Sequence, residues 1–183
     1  MPPLDQQDLP DYTWDDYVLW KGRWELIEGV PFAMAPSPVK NHQRLAGLLF
    51  SRIDEALADC PGCEVLLDTD WKVDEHTVLR PDVAVVCGDE EPRRIAKTPE
   101  LVFEIASPST ARNDEGVKLR RYEREGVRHY IVVFAEERRA RAFRLDGGRF
   151  VEATDALAAP LSFARLSCPF TLDLAALLDR LRY

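Results

Sequence analysis

The apolar residues of this chain form short runs in which polar residues do not alternate. The clearest runs lie at residues 80–86, 101–106 and 129–134 and are rich in valine, isoleucine and phenylalanine. Each is bounded by proline, glycine or charged loop residues, a pattern typical of strands that are buried on both faces. These runs therefore predict the central strands of a β-sheet.

Four helices are predicted from apolar spacing, capping residues and helix-stop signals. They are expected over residues 13–21, 41–58 and 112–125, and after Asp173. Thr13 followed by Asp16 has the spacing of a capping box, which supports the first helix. Pro61-Gly62 stops the second helix.

Short polar or glycine-containing turns predict three hairpins. Their turns are Glu28-Gly29, residues 74–77 and Gly147-Gly148. The strands that they would join are 24–27 with 32–34, 64–73 with 78–86, and 140–145 with 149–153.

The order of the elements predicts a mixed α/β (α+β) fold. Strand 101–106, helix 112–125 and strand 129–134 form a β-α-β unit, so their two strands should be parallel and joined by a right-handed crossover. At 183 residues the chain suits one domain over 1–183, with residues 1–11 as a loose arm.

Composition limits the classes of function. The net charge of -8 opposes indiscriminate binding to nucleic acid, although it leaves room for a local basic surface. No apolar run is long enough to span a membrane, and the start of the chain lacks the features of a secretory signal. We therefore expect a cytoplasmic protein without a membrane partner.

The four cysteines include one C-x-x-C pair, Cys60 and Cys63. The three histidines are scattered without the paired spacing that would complete a zinc site. Reduced structural thiols are therefore expected, with a redox or metal role for Cys60 and Cys63 as the alternative.

Two carboxylates, Asp82 and Glu104, interrupt the apolar runs. Burying an ionised carboxylate costs several kcal/mol unless a cation or several donors compensate it. If their strands are neighbours, the two groups could share a divalent cation, and oxygen ligands suit Mg²⁺ or Mn²⁺. Lys118 in the following helix could then stabilise negative charge in phosphoryl chemistry. The alternative for the carboxylates is a buried salt bridge to Arg80, Lys118 or another base without metal, and Lys118 could instead be a solvated helix residue paired with Asp114.

The chain resembles the PD-(D/E)XK nuclease superfamily and, more closely, the Uma-two family of putative restriction endonucleases. The resemblance rests on the order and spacing of several short motifs. They are Tyr12-Thr13, residues 25–29, residues 36–38 with His42, residues 80–83, residues 104–110, Asp114 with Lys118 and Tyr122, and Gly126-Val127 with Tyr130.

The resemblance implies a restriction-endonuclease-like fold, a central mixed β-sheet flanked by helices, and DNA as substrate. It implies that Asp82 and Glu104 hold Mg²⁺ (or Mn²⁺), with the Ile105 carbonyl as third ligand. The lysine that usually follows the glutamate by two positions is replaced by Ala106, and Lys118 would take its role.

Two further residues, Glu25 and His42, would also face the catalytic cleft. Glu25 could instead serve only the first hairpin, and His42 could be an ordinary residue at a helix start. Because Ala106 departs from the pattern, a catalytically silent nucleic-acid-binding or assembly module is the alternative function. A homodimer is plausible under both readings, since two-fold dimers are the commonest oligomers.

Overall fold

The computed structural model describes residues 9–34, 39–107, 110–153 and 155–182. Its strands are β1 (Trp24–Ile27), β2 (Val30–Ala33), β3 (Cys63–Leu67), β4 (Trp71–Asp74), β5 (Thr77–Leu79), β6 (Val83–Cys87), β7 (Leu101–Ile105), β8 (His129–Phe134), β9 (Arg139–Asp146), β10 (Arg149–Glu152), β11 (Leu161–Ser162) and β12 (Thr171–Leu172). The helices are α1 (Trp14–Tyr17), α2 (Lys40–Ala56), α3 (Ala111–Asn113), α4 (Leu119–Arg124) and α5 (Leu174–Leu178), with a π-helical segment (Asp114–Lys118) between α3 and α4.

The larger sheet has six strands in the order β10-β9-β8-β7-β6-β3. β7 and β8 are parallel, as the β-α-β prediction requires, and the other neighbouring pairs in this sheet are antiparallel. A four-stranded antiparallel sheet has the order β2-β1-β5-β4, and β11 pairs with β12. The prediction of a mixed α+β fold around a mixed sheet is confirmed.

The prediction of two long strands over 64–73 and 78–86 is wrong, because each segment is divided in two. Asp68 breaks the first with a φ of 49°, in the left-handed region. Residues 80–82 break the second, where Pro81 has no N–H for a ladder. Asp82 consequently lies just before β6 rather than inside a strand.

The two faces of the six-stranded sheet bury different apolar clusters. Side chains from α2 and α5, such as Leu49 and Leu177, pack on the face that includes Phe103. The opposite face includes Val102 and packs against Tyr122 of α4. Because neighbouring residues of β7 point to opposite faces, Glu104 shares the face of Val102 and Tyr122.

Helix α1 is shorter than the predicted 13–21. Thr13 and Asp16 form the predicted capping box, but the helix ends at Tyr17. The chain then turns so that the ring of Trp20 packs against that of Tyr17, with centroids 5.5 Å apart. The other helices agree closely with their predictions, and Asp173 caps α5 by accepting the N–H of Ala176.

The prediction of reduced thiols is wrong, because the cysteines form the disulfides Cys60–Cys168 and Cys63–Cys87. Cys63 and Cys87 are direct partners across β3 and β6, whereas Cys60 and Cys168 are 108 residues apart in the chain. The C-x-x-C residues thus bond to other partners rather than to each other. Among the described residues, no helix combines the length and apolar character that crossing a membrane requires.

Candidate active site

The five side chains predicted for the site lie in one network of contacts. Glu25 comes from β1, Asp82 from the break before β6, and Glu104 from β7. Lys118 ends the π-helical segment, and His42 lies in the first turn of α2. The break before β6 places Asp82 opposite Glu104, because Val83 pairs with Phe103 in the antiparallel ladder.

The Lys118 ammonium is buried among three carboxylates. Its Nζ lies 2.7 Å from Glu104 Oε1, 3.0 Å from Glu25 Oε1 and 3.6 Å from Asp114 Oδ1. Burial alone lowers the pKa of Lys118, but these carboxylates outweigh it and hold that pKa well above its ordinary value. The lysine is therefore a fixed cation.

Glu104 is almost fully buried and is held by two donors. Oε1 contacts Lys118 and accepts a hydrogen bond of 2.6 Å from the Tyr122 hydroxyl. Burial raises the pKa of Glu104, Lys118 lowers it, and the negative charges of Asp82 and Asp114 raise it further, so that it stands well above the ordinary value. The carboxylate needs more positive charge than one lysine supplies.

The cluster has more acids than cations. Glu25, Asp82, Glu104 and Asp114 are buried around Lys118. Burial first, and then the neighbouring carboxylates, raise the pKa of Glu104 and of Asp114, while the same carboxylates raise the pKa of Lys118 against its burial. The site would be better balanced by further positive charge.

Asp82 stands on the side of the cluster that reaches solvent. Its Oδ2 accepts the backbone N–H of Ile105 at 2.7 Å, and its Oδ1 lies 3.2 Å from His42 Nε2. The His42 side chain is 18% exposed, against 4% for Lys118. His42 Nδ1 is buried and has no hydrogen-bond partner within the described part of the chain.

Glu25 connects Lys118 to the segment that leads to Asp82. Besides Lys118, its Oε1 accepts the backbone N–H of Arg80 at 2.8 Å. The residue is 6% exposed. Glu25 therefore does more than serve the first hairpin, since it fixes both the ammonium and the backbone before Asp82.

Sequence reasoning assigned no site role to Asp114, Tyr122 or Tyr130. Tyr122 donates to Glu104, and Tyr130 donates to the Asp114 carbonyl at 2.9 Å, which anchors the π-helical segment. The spacing of Asp114, Lys118 and Tyr122 at four-residue intervals was a usable signal, because such residues share a helix face. Burial, followed by the charge of Glu104, raises the pKa of Tyr122, so its hydroxyl remains a donor.

The donor atoms present suit a hard divalent cation. The predicted ligands are two carboxylates and the carbonyl of Ile105, and oxygen donors are those that Mg²⁺ and Mn²⁺ prefer. Within the described residues, no group of three or more His, Cys, Asp or Glu side chains is placed to hold a metal ion. The fit therefore rests on the oxygen donors and on the surplus of negative charge.

The fold and the relatives of the chain define its class. A solved structure described as a putative nuclease belonging to DUF820 from Anabaena variabilis superposes with a TM-score of 0.71 at 19% sequence identity, covering 91% of this chain and 98% of that one. The fold is thus restriction-endonuclease-like.

The family model for Uma2, described as "Putative restriction endonuclease", matches residues 14–174. The chain belongs to this family, as its motifs predicted. No curated protein gives a significant match.

Proposed function

We propose that this protein hydrolyses phosphodiester bonds of DNA with the help of Mg²⁺ or Mn²⁺. The observation that carries the proposal is the surplus of buried carboxylates around a single lysine, with Asp82 in contact with the partly exposed His42. Membership of a family of restriction-endonuclease type supports the substrate class.

Asp82, Glu104 and the Ile105 carbonyl would hold the ion. When bound, the ion supplies Lewis-acid stabilisation and lowers the pKa of a bound water. Ile105 N–H orients Asp82, and Tyr122 orients Glu104. Lys118, fixed by Glu104 and Glu25, supplies positive charge beside the reacting phosphate.

His42 would act on the solvent side of Asp82. Its Nε2 contacts Asp82 and its Nδ1 has no hydrogen-bond partner among the described residues, so the ring would be available to contact the substrate at that side. We assign it a supporting role.

Cleavage and metal binding test the proposal together. Full-length protein is incubated with supercoiled plasmid in Mg²⁺, in Mn²⁺ and in EDTA, and Mn²⁺ binding is followed by electron paramagnetic resonance. We expect metal-dependent nicking, and a loss of at least about a hundredfold in Asp82→Asn and Glu104→Gln, with weaker Mn²⁺ binding. Glu64→Gln, which removes an exposed carboxylate from β3, is the matched control. Unchanged Mn²⁺ affinity in the two site variants contradicts the proposal.

The second candidate is a nucleic-acid-binding or assembly module without turnover. Ala106 stands where the superfamily places lysine, and the only lysine that we assign to the site is already bound by three carboxylates. A DNA complex that weakens with salt, without cleavage across a range of Mg²⁺ and Mn²⁺ concentrations, would favour this candidate. Light scattering after gel filtration tests the homodimer that we propose under both functions.

A further inference from the structure

Two arginines meet one carboxylate at the edge of the site. Arg23 lies just before β1 and Arg80 just after β5. Arg23 Nη2 is 2.5 Å from Asp68 Oδ1, and Arg80 Nε is 3.3 Å from the same oxygen. Arg80 Nε also donates to the Asp68 carbonyl at 3.1 Å. We call Arg23 and Arg80 the arginine pair.

Backbone hydrogen bonds join the arginine pair to the cluster of carboxylates around Lys118. The N–H of Asp68 donates to the Asp82 carbonyl at 3.3 Å, and the N–H of Arg80 donates to Glu25 Oε1 at 2.8 Å. Arg80 is also two residues from Asp82 along the chain. A ligand on the pair would therefore lie beside the proposed metal ligands.

Unlike Lys118, the arginine pair and its partner reach solvent. The exposed fractions of the Arg23, Arg80 and Asp68 side chains are 28%, 23% and 42%. Arg23 Nε is buried and has no hydrogen-bond partner within residues 9–34, 39–107, 110–153 and 155–182. Asp68 thus leaves one guanidinium donor unsatisfied.

We propose that the arginine pair binds a backbone phosphate of the substrate and that Asp68 occupies this position until DNA binds. A guanidinium presents several N–H donors in a plane that matches phosphate oxygens. Asp70 lies 3.4 Å from Arg80 Nε and itself accepts a hydrogen bond from the Tyr17 hydroxyl at 2.8 Å. Asp70 would therefore keep Arg80 in place when Asp68 is displaced. The identity of the ligand rests on the proposed function.

The direction in which Asp68→Asn changes DNA affinity distinguishes a phosphate-binding site from a structural ion-pair network. If Asp68 competes with phosphate, Asp68→Asn should tighten DNA binding, because it removes the competing charge. Asparagine also tolerates the left-handed backbone at this position, so the variant adds no strain. If Asp68 only orders the arginines, the same change should weaken binding.

Fluorescence anisotropy with a short labelled DNA duplex measures binding separately from cleavage, in EDTA and in Ca²⁺. We expect Arg23→Gln and Arg80→Gln each to raise Kd about tenfold and to reduce the salt-dependence slope by about 1. Asp68→Asn should lower Kd by about threefold or more. Arg52→Gln, which removes an exposed arginine paired with Glu55 on α2, is the matched control and should leave Kd unchanged.

Each result supports or overturns the inference. Unchanged Kd in both arginine variants, weaker binding by Asp68→Asn, or no duplex binding by the wild-type chain in either solution overturns it. If Arg23→Gln or Arg80→Gln lowers the melting temperature, the DNA affinities of the corresponding lysine variant and of Asp68→Asn test the phosphate site instead. Cleavage with normal KM in the arginine variants would leave the proposed hydrolysis intact while removing the phosphate site. DNA binding that depends on the arginine pair, without cleavage, would support the phosphate site and contradict the proposed hydrolysis.

Discussion

Replacing Lys118 by methionine should destabilise the protein strongly at neutral pH and only slightly at pH 5. Methionine keeps most of the side-chain volume but removes the ammonium that contacts Glu104, Glu25 and Asp114. The buried carboxylates then repel one another without compensation, and at least one of them must take up a proton in the folded state.

The free-energy cost of this proton uptake sets the size of the stability loss in Lys118→Met. A glutamate has an ordinary pKa of 4.5, so keeping one protonated costs on the order of 3 kcal/mol at pH 7 and on the order of 1 kcal/mol at pH 5. The folded-state pKa of this group is raised, so the folded state binds more protons than the unfolded chain. The stability deficit should therefore grow as pH rises from about 4.5 to 7. The value at pH 7 agrees with the roughly 3–5 kcal/mol expected for breaking a buried ion pair.

Urea unfolding at pH 5, 6 and 7, followed by tryptophan fluorescence, measures the deficit. Adding Glu104→Gln to Lys118→Met should recover about 2–3 kcal/mol at pH 7 relative to additivity, because one buried charge is removed. Lys72→Met is the control: its ammonium pairs with the half-exposed Glu75, so we expect less than about 1 kcal/mol. A Lys118→Met deficit that does not change with pH and adds simply to that of Glu104→Gln would refute the reasoning.

Local sequence patterns were sufficient to predict those features that residues close together in the chain determine. Thr13 and Asp16 form their capping box, and Glu28-Gly29 forms the predicted two-residue turn with positive φ at both positions. The alternation of side chains along β7 placed Glu104 on the face opposite Phe103. These features follow from spacings of a few residues.

Long-range contacts could not be predicted in this way. The break at Asp68 depends on which sheet each half-strand joins, and an apolar run alone does not carry that information. Cys60 forms a disulfide with a partner 108 residues away, whereas the sequence predicted reduced thiols. Family resemblance brought Lys118 into the site and spacing suggested its pair with Asp114, but only the packing showed that the ammonium is buried among three carboxylates.

Three further predictions test other parts of the structure. Tyr122→Phe should cost about 1.5–3 kcal/mol in thermal unfolding, because Glu104 loses a buried donor; a negligible change would contradict that role. The double variant Cys60→Ser/Cys168→Ser should lose about 4–5 kcal/mol in oxidising buffer, since the disulfide closes a long loop, and this difference from wild type should vanish in reducing buffer. Burial, helped by three nearby arginines, lowers the pKa of His129 to about 4 from 6.5. The unfolded chain therefore binds the extra proton first, and stability that is complete above pH 6.5 is lost as pH falls towards 4. Solvent screening reduces the ideal loss to about 2 kcal/mol, and His129→Phe should lack this part of the acid dependence in unfolding titrations. An identical acid profile in wild type and variant would show that the imidazole is not held neutral by its burial.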